Sequence, residues 1–137
     1  MVIGTLSLDL REIGLPYLLA NAAVEIGNRI RGKNESINSV FMTGELLHEL
    51  SHDEERLANI DYVFREPLER CYGKKWGKEI KTTSDLRRTL EAISCDFRNF
   101  RNLPRGQKEK LEFFCLRLYR RMIYYQEIEG EEYLTRN

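Results

Sequence analysis

Thr82-Thr83-Ser84-Asp85-Leu86-Arg87-Arg88-Thr89-Leu90-Glu91-Ala92-Ile93-Ser94-Cys95-Asp96-Phe97-Arg98-Asn99-Phe100 is the stretch whose reading decides the fold. Thr82 followed three residues later by Asp85 has the form of a capping box, in which two side chains satisfy amides that a helix start leaves unpaired. From there Leu86, Leu90, Ile93, Phe97 and Phe100 recur at spacings of three and four and mark one apolar face. Arg87, Arg98 and Arg101 fall on a second stripe, about 100° around the same helix.

The pattern extends downstream. Leu103-Pro104-Arg105-Gly106 breaks the helix and starts the next, with Pro104 at or near its first position. The last helix is predicted over 105–128, with Leu111, Phe114, Cys115, Leu118, Met122 and Tyr125 as its core stripe and Gly130 after it. The short link predicts that these two helices are neighbours.

Upstream, residues 73–82 read as a basic contact loop holding the only tryptophan, Trp76, as an anchor onto the bundle, with stacking on a base as the alternative. Pro67 kinks or ends a helix, and Leu68, Cys71 and Tyr72 form a last turn. An apolar stripe runs without a marked break from Glu45 through Leu57 to Ile60, Val63 and Phe64, and Asn34 is a candidate cap for a short helix before it. Pro16, Leu19, Ala22, Ala23, Ile26 and Ile30 predict a helix over about 16–31 that Gly32 closes. Residues 5–10 alternate with period two and read as one short strand or an extended arm. The sum is an all-α single domain over 1–137, an antiparallel bundle of four to five helices.

Three dispersed cysteines without a Cys-x-x-Cys pair argue for free thiols in a reducing compartment. No basic leader and no apolar run of bilayer length is present, so the expectation is a cytoplasmic protein without a membrane partner. Charge is segregated. Residues 65–121 hold sixteen Lys/Arg against eight Asp/Glu, whereas 1–64 hold five against ten and 122–137 one against four, within a total of zero. On the last helix Lys110, Phe113, Arg117, Arg120, Arg121 and Tyr124 share one sector. Guanidinium groups pair with phosphate oxygens and rings stack on bases without reading them, so this sector suits a phosphodiester track. The expected nucleic-acid-binding residues are Arg87, Arg98, Arg101, Lys110, Arg117, Arg120 and Arg121. They would form one outward ridge within a larger ribonucleoprotein or an oligomer, without a cofactor.

Thr82-Thr83-Ser84-Asp85-Leu86-Arg87 resembles the Thr-Thr-Ser-x-Leu-Arg helix start of the small all-helical subunits of CRISPR effector complexes, the type III-A kind especially. The run from Phe113-Phe114-Cys115 to Tyr124-Tyr125-Gln126 is similar to their last helix, and together the two stretches cover about a third of the chain. The interval between them is shorter than in that family, and the N-terminal half has no counterpart there. The resemblance implies a non-catalytic subunit lining a groove that holds guide and target strands by their backbones, with Arg87 as the matched basic residue.

A second reading comes from His48-Glu49-Leu50-Ser51-His52. Histidines four apart on a helix can share a zinc ion while the glutamate acts as general base, which would make the chain a metallopeptidase with Glu49 catalytic and His48 and His52 as ligands. Against it, Asp53 and Glu54 follow where an apolar continuation is usual, and the third ligand would have to be Glu66, Glu69 or Glu79. A third reading is a protein-interaction module or inhibitor whose basic face docks on an acidic partner.

Overall fold

The computed structural model describes residues 14–73 and 79–125. The alternating stretch at 5–10, Trp76 and the tail from 126 lie outside the described residues. Among the described residues five α-helices follow in order: α1 Leu15–Ile30, α2 Asn38–Ser51, α3 Glu54–Leu68, α4 Thr83–Arg98 and α5 Arg105–Tyr124. A π-helical turn, Glu69–Gly73, continues α3 beyond Pro67, and a 3-10 turn, Phe100–Asn102, links α4 to α5. The all-α bundle is as expected.

The helix ends follow from local chemistry. Thr82 Oγ1 accepts the Asp85 amide at 3.1 Å and the Asp85 carboxylate accepts the Thr82 amide at 3.2 Å, which completes the capping box. At the end of α1 the amides of Gly32 and Lys33 donate to the carbonyls of Arg29 and Asn28, with Gly32 at φ 82°. That is a Schellman stop, and the left-handed position is why glycine stands there. Asn34 caps nothing and instead accepts from Arg29. The start of α2 is capped from a neighbouring helix, because the Glu25 carboxylate accepts the amides of Ser39 and Val40 at 3.2 and 3.0 Å. The stripe expected to continue past His52 is interrupted. α2 ends at Ser51, and Asp53 caps a new helix by accepting the Arg56 amide at 3.0 Å.

The helices pack as a ring in the order α1, α2, α4, α3, α5 and back to α1. Neighbours run antiparallel except α3 and α4, whose N-terminal turns lie together around Leu57, Ser84 and Arg87. The two C-terminal helices were expected side by side; α3 stands between them, and they touch little beyond their short link and the Phe97–Phe114 ring contact. The apolar faces of all five helices point inward, with Leu19, Leu47, Phe64, Leu90, Phe97, Phe114 and Leu118 each no more than 1% exposed. Tyr125, assigned to this core by spacing, is 38% exposed because it sits at the last cap of α5. Cys71 and Cys115 are buried and Cys95 is exposed. Burial pushes the Cys71 thiol up to about 12 and holds Cys115 well above its ordinary range, so both behave as small apolar groups. Across the core the Tyr72 hydroxyl meets the Asp96 carboxylate, and Gln107 donates to both at 2.9 and 3.0 Å. That triad ties the π-turn, α4 and α5 together.

The α2–α4 contact is the tightest. A Cβ on Gly44 would stand 2.8 Å from Phe97 Cβ, 3.0 Å from Arg98 Cγ and 3.1 Å from the Ser94 carbonyl. Thr43 and Ser94, fully buried in these two helices, return their hydroxyls to their own backbones at Ser39 and Glu91. Gly27, on α1, meets only the tips of Glu112 and Arg31. Alanine adds up to about 1 kcal/mol of helix propensity at either position, while overpacking costs about 1–3 kcal/mol where the neighbours cannot yield. Gly44→Ala is therefore expected to lower the unfolding free energy by up to about 2 kcal/mol, and Gly27→Ala to leave it unchanged or raised. Urea denaturation of the two variants checks this; a G44A protein as stable as G27A would show that the contact yields.

Candidate nucleic-acid interface

The seven cationic residues proposed from sequence divide into four groups. Arg117 and Arg121 are ties between α5 and α3. Arg117 Nε lies 2.7 Å from both carboxylate oxygens of Glu66, its guanidinium sits over the Phe113 ring, and Arg70 reaches the same carboxylate at 3.1 Å. Arg121 donates to the Tyr62 carbonyl at 3.1 Å and covers the Tyr125 ring, while its Nε is buried without a partner. Arg87 and Arg98 are paired laterally, Arg87 with Glu91 at 3.2 Å and Arg98 with Glu45 at 3.8 Å. Lys110 stands over Cys71, whose thiol donates to its carbonyl at 3.7 Å.

Arg101 and Arg120 are exposed, and among the described residues neither has an acidic partner. Arg101 marks the corner between α4 and α5, and Arg120 lies near the far end of α5. With α3 interposed, the outward ridge expected along both C-terminal helices is interrupted.

The structure gathers positive charge elsewhere. Arg29, Lys33, Arg101 and Lys108, with Gly32 and Asn34, line an open cavity of about 260 Å³. Three separate segments supply the cations. Arg29 comes from the last turn of α1, where its guanidinium is held by Asn34 Oδ1 at 2.8 Å. The left-handed Gly32 turns the chain so that Lys33 follows on the same side. Phe100, 1% exposed, pins the 3-10 corner and leaves Arg101 outside, and Lys108 reaches back over the Phe100 ring at 5.2 Å. α5 begins beside them without a side-chain cap and without an acidic residue in its first turn, so its positive dipole end adds to the local potential. Among the described residues none of the four cations is paired with a carboxylate.

Only Arg101 of these four was legible as a candidate. Arg29 and Lys33 fall in a half of the chain that is acidic in total, and averaging over 64 residues hides them. Their signal is local: Arg29, Arg31 and Lys33 crowd a helix end at Gly32. Lys108 is in the first turn of α5 but lies off the stripe counted on that helix.

Among the described residues the histidine pair has no third ligand grouped with it. The two rings contact edge-to-face with centroids 4.5 Å apart, and His52 is already past the end of α2. Among the described residues no three His, Cys, Asp or Glu side chains are grouped to hold a metal ion. The carboxylates considered as third ligands are engaged: Glu66 by Arg117, Glu69 by the Ile80 amide, and Glu79 by Lys81.

Comparison with protein-family models, with curated proteins and with solved structures finds no match to this chain. The Thr82–Arg87 stretch has a complete local account as a helix start, with Arg87 paired to Glu91 one turn on.

The Glu66 clamp titrates. The Arg117 guanidinium, ahead of Arg70 and Arg121, holds the Glu66 carboxyl below its usual range. A carboxylate lowered on folding stabilises the native state above its unfolded value of about 4.3, and this is lost as pH falls through the lower folded value. Glu66→Gln is expected to cost about 1–2 kcal/mol at pH 7. The gap to the unaltered protein should close as pH falls below about 4.3. Denaturant titrations at pH 7 and pH 3 measure it, and a gap independent of pH would remove Glu66 as the source.

Proposed function

We propose that this chain is a small non-catalytic protein that holds single-stranded RNA or DNA by its phosphate backbone, as a subunit of a larger assembly. The observation that carries the reading is the convergence of Arg29, Lys33, Arg101 and Lys108 on one cavity without an acidic partner among the described residues. Many arginines elsewhere are paired, Arg120 excepted: Arg70, Arg87, Arg88, Arg98, Arg105 and Arg117 each have a carboxylate within 4 Å. Four like charges held together repel one another, and a polyanion relieves that repulsion. Two guanidinium groups can grip phosphate oxygens bidentately while two ammonium groups act as point charges. With a net charge of zero for the whole chain, the attraction is local to this corner rather than spread over the molecule. These contacts address phosphates and carry no base code.

Membership of an assembly belongs to the same proposal. It is supported by the exposed Tyr17 and Val24 of α1 and Phe113, Leu116 and Tyr124 of its neighbour α5, side chains of the kind a protein partner covers.

Anisotropy of a labelled single-stranded 20-mer, measured against salt, tests the reading. For single strands the log–log slope is about −0.7 per phosphate neutralised, so four contacts predict a slope of about −3. R101E/K108E should weaken binding to every sequence by at least tenfold and flatten the slope by about 1.4. Wild-type protein that binds polyglutamate as tightly as the oligonucleotide would overturn the assignment in favour of an acidic protein partner.

A further inference from the structure

Next to the cationic cavity lies a second cleft of about 420 Å³, between the first turn and a half of α2 and the α4–α5 corner. Arg101 lines both, so the two clefts adjoin at this side chain. The second cleft differs in chemistry from the first. Phe41 and Met42, on α2, are 48% and 53% exposed at its wall. Asn38, Asn99 and Asn102 contribute carboxamides to the same cleft. Among the described residues the side chains of Asn38 and Asn102 make no hydrogen bond, and Asn99 spends only its Nδ2 group, on the Cys95 carbonyl at 3.0 Å. An aromatic ring and a thioether thus share a cleft with unspent amide donors and acceptors, and a guanidinium joins it to a cluster of cations.

We infer that this cleft seats one unstacked nucleobase, whose flanking phosphates lie across Arg101 in the cationic cavity. The inference rests on the backbone-binding reading and adds to it the part of the ligand that is not phosphate. Each feature has a counterpart in a nucleotide. The Phe41 ring and the Met42 sulfur offer an apolar surface for a base face. The carboxamides can donate to and accept from a base edge, as asparagine does wherever bases are bound. Arg101 stands where the sugar-phosphate leaves the base, and its planar group can pair with phosphate or stack.

The volume is at the lower end of the roughly 300–1,000 Å³ that ligand pockets span, which suits one base rather than a folded motif. A base within a duplex hides both faces in the stack. The seat therefore selects single strands, or a base at a strand end, over paired nucleic acid.

Three labelled probes of equal length separate the possibilities: single-stranded oligouridine, the same backbone made abasic, and a blunt hairpin duplex. The unaltered protein is expected to bind oligouridine about tenfold more tightly than the abasic strand or the hairpin. Phe41→Ala should remove that tenfold preference and leave abasic binding and the salt slope unchanged. Phe41→Trp, which keeps a stacking face, should preserve it. Because Phe41 is half exposed, both variants are expected to melt like the parent, and their melting curves are recorded alongside. Equal binding of oligouridine and abasic strand by the unaltered protein, or an F41A protein that keeps the preference, overturns the base seat while leaving the backbone reading intact. Absence of binding to all three probes overturns both.

Discussion

At Gly44 two helix backbones come within the space of one missing methyl group. The carbonyl of Ser94 and the stems of Phe97 and Arg98 occupy the volume that any other residue would claim. This contact fixes the separation of α2 and α4, and the candidate base seat is a consequence of it. Asn38, Phe41 and Met42 lie within two turns of Gly44, and Arg98, Asn99 and Asn102 follow directly from Phe97. Were the helices at an ordinary distance, the cleft would widen and its two walls would no longer address one planar ligand. The buried hydroxyls beside the contact make the close approach tolerable, because each is satisfied within its own helix and asks nothing of the other.

Charge in this molecule is used in two ways that residue type alone does not separate. Arg117 and Arg121 look like neighbours on a solvated stripe, yet each reaches across to α3 and holds it. Arg101 and Lys108 flank the Pro104 start of α5 and have no carboxylate among the described residues to hold. The difference comes from the neighbours. α3 presents Glu66 and the Tyr62 carbonyl to α5, whereas at the corner where α4 hands over to α5 the end of α1 brings Arg29, Lys33 and Asn34 to the cavity.

Most of the fold was legible because it is written in adjacent residues. Thr82 and Asp85 announce a helix start, Gly32 a stop, and the apolar spacing of α4 and α5 names nearly every core side chain. The break at His52–Asp53 was missed because the apolar periodicity runs straight across it, and only the cap at Asp53 reveals it. The cap of α2 by Glu25 is a tertiary interaction between two helices, invisible to any local pattern. Helix order fails for a similar reason. A short link limits how far apart two helix ends are, but it does not prevent a third helix from entering the angle between them. The cationic cavity inherits that difficulty, being assembled from segments roughly seventy residues apart in sequence.

The ring has one further implication, for the order of events during synthesis. Its closing seam joins the first described helix to the last. Until α5 has been made, Leu19, Ala23 and Ile26 have only part of their covering, and the growing chain carries an open apolar trough. Completion is thus a long-range step, slower than zipping neighbouring helices together. A chain halted before α5 would leave that trough open to chaperones or proteases.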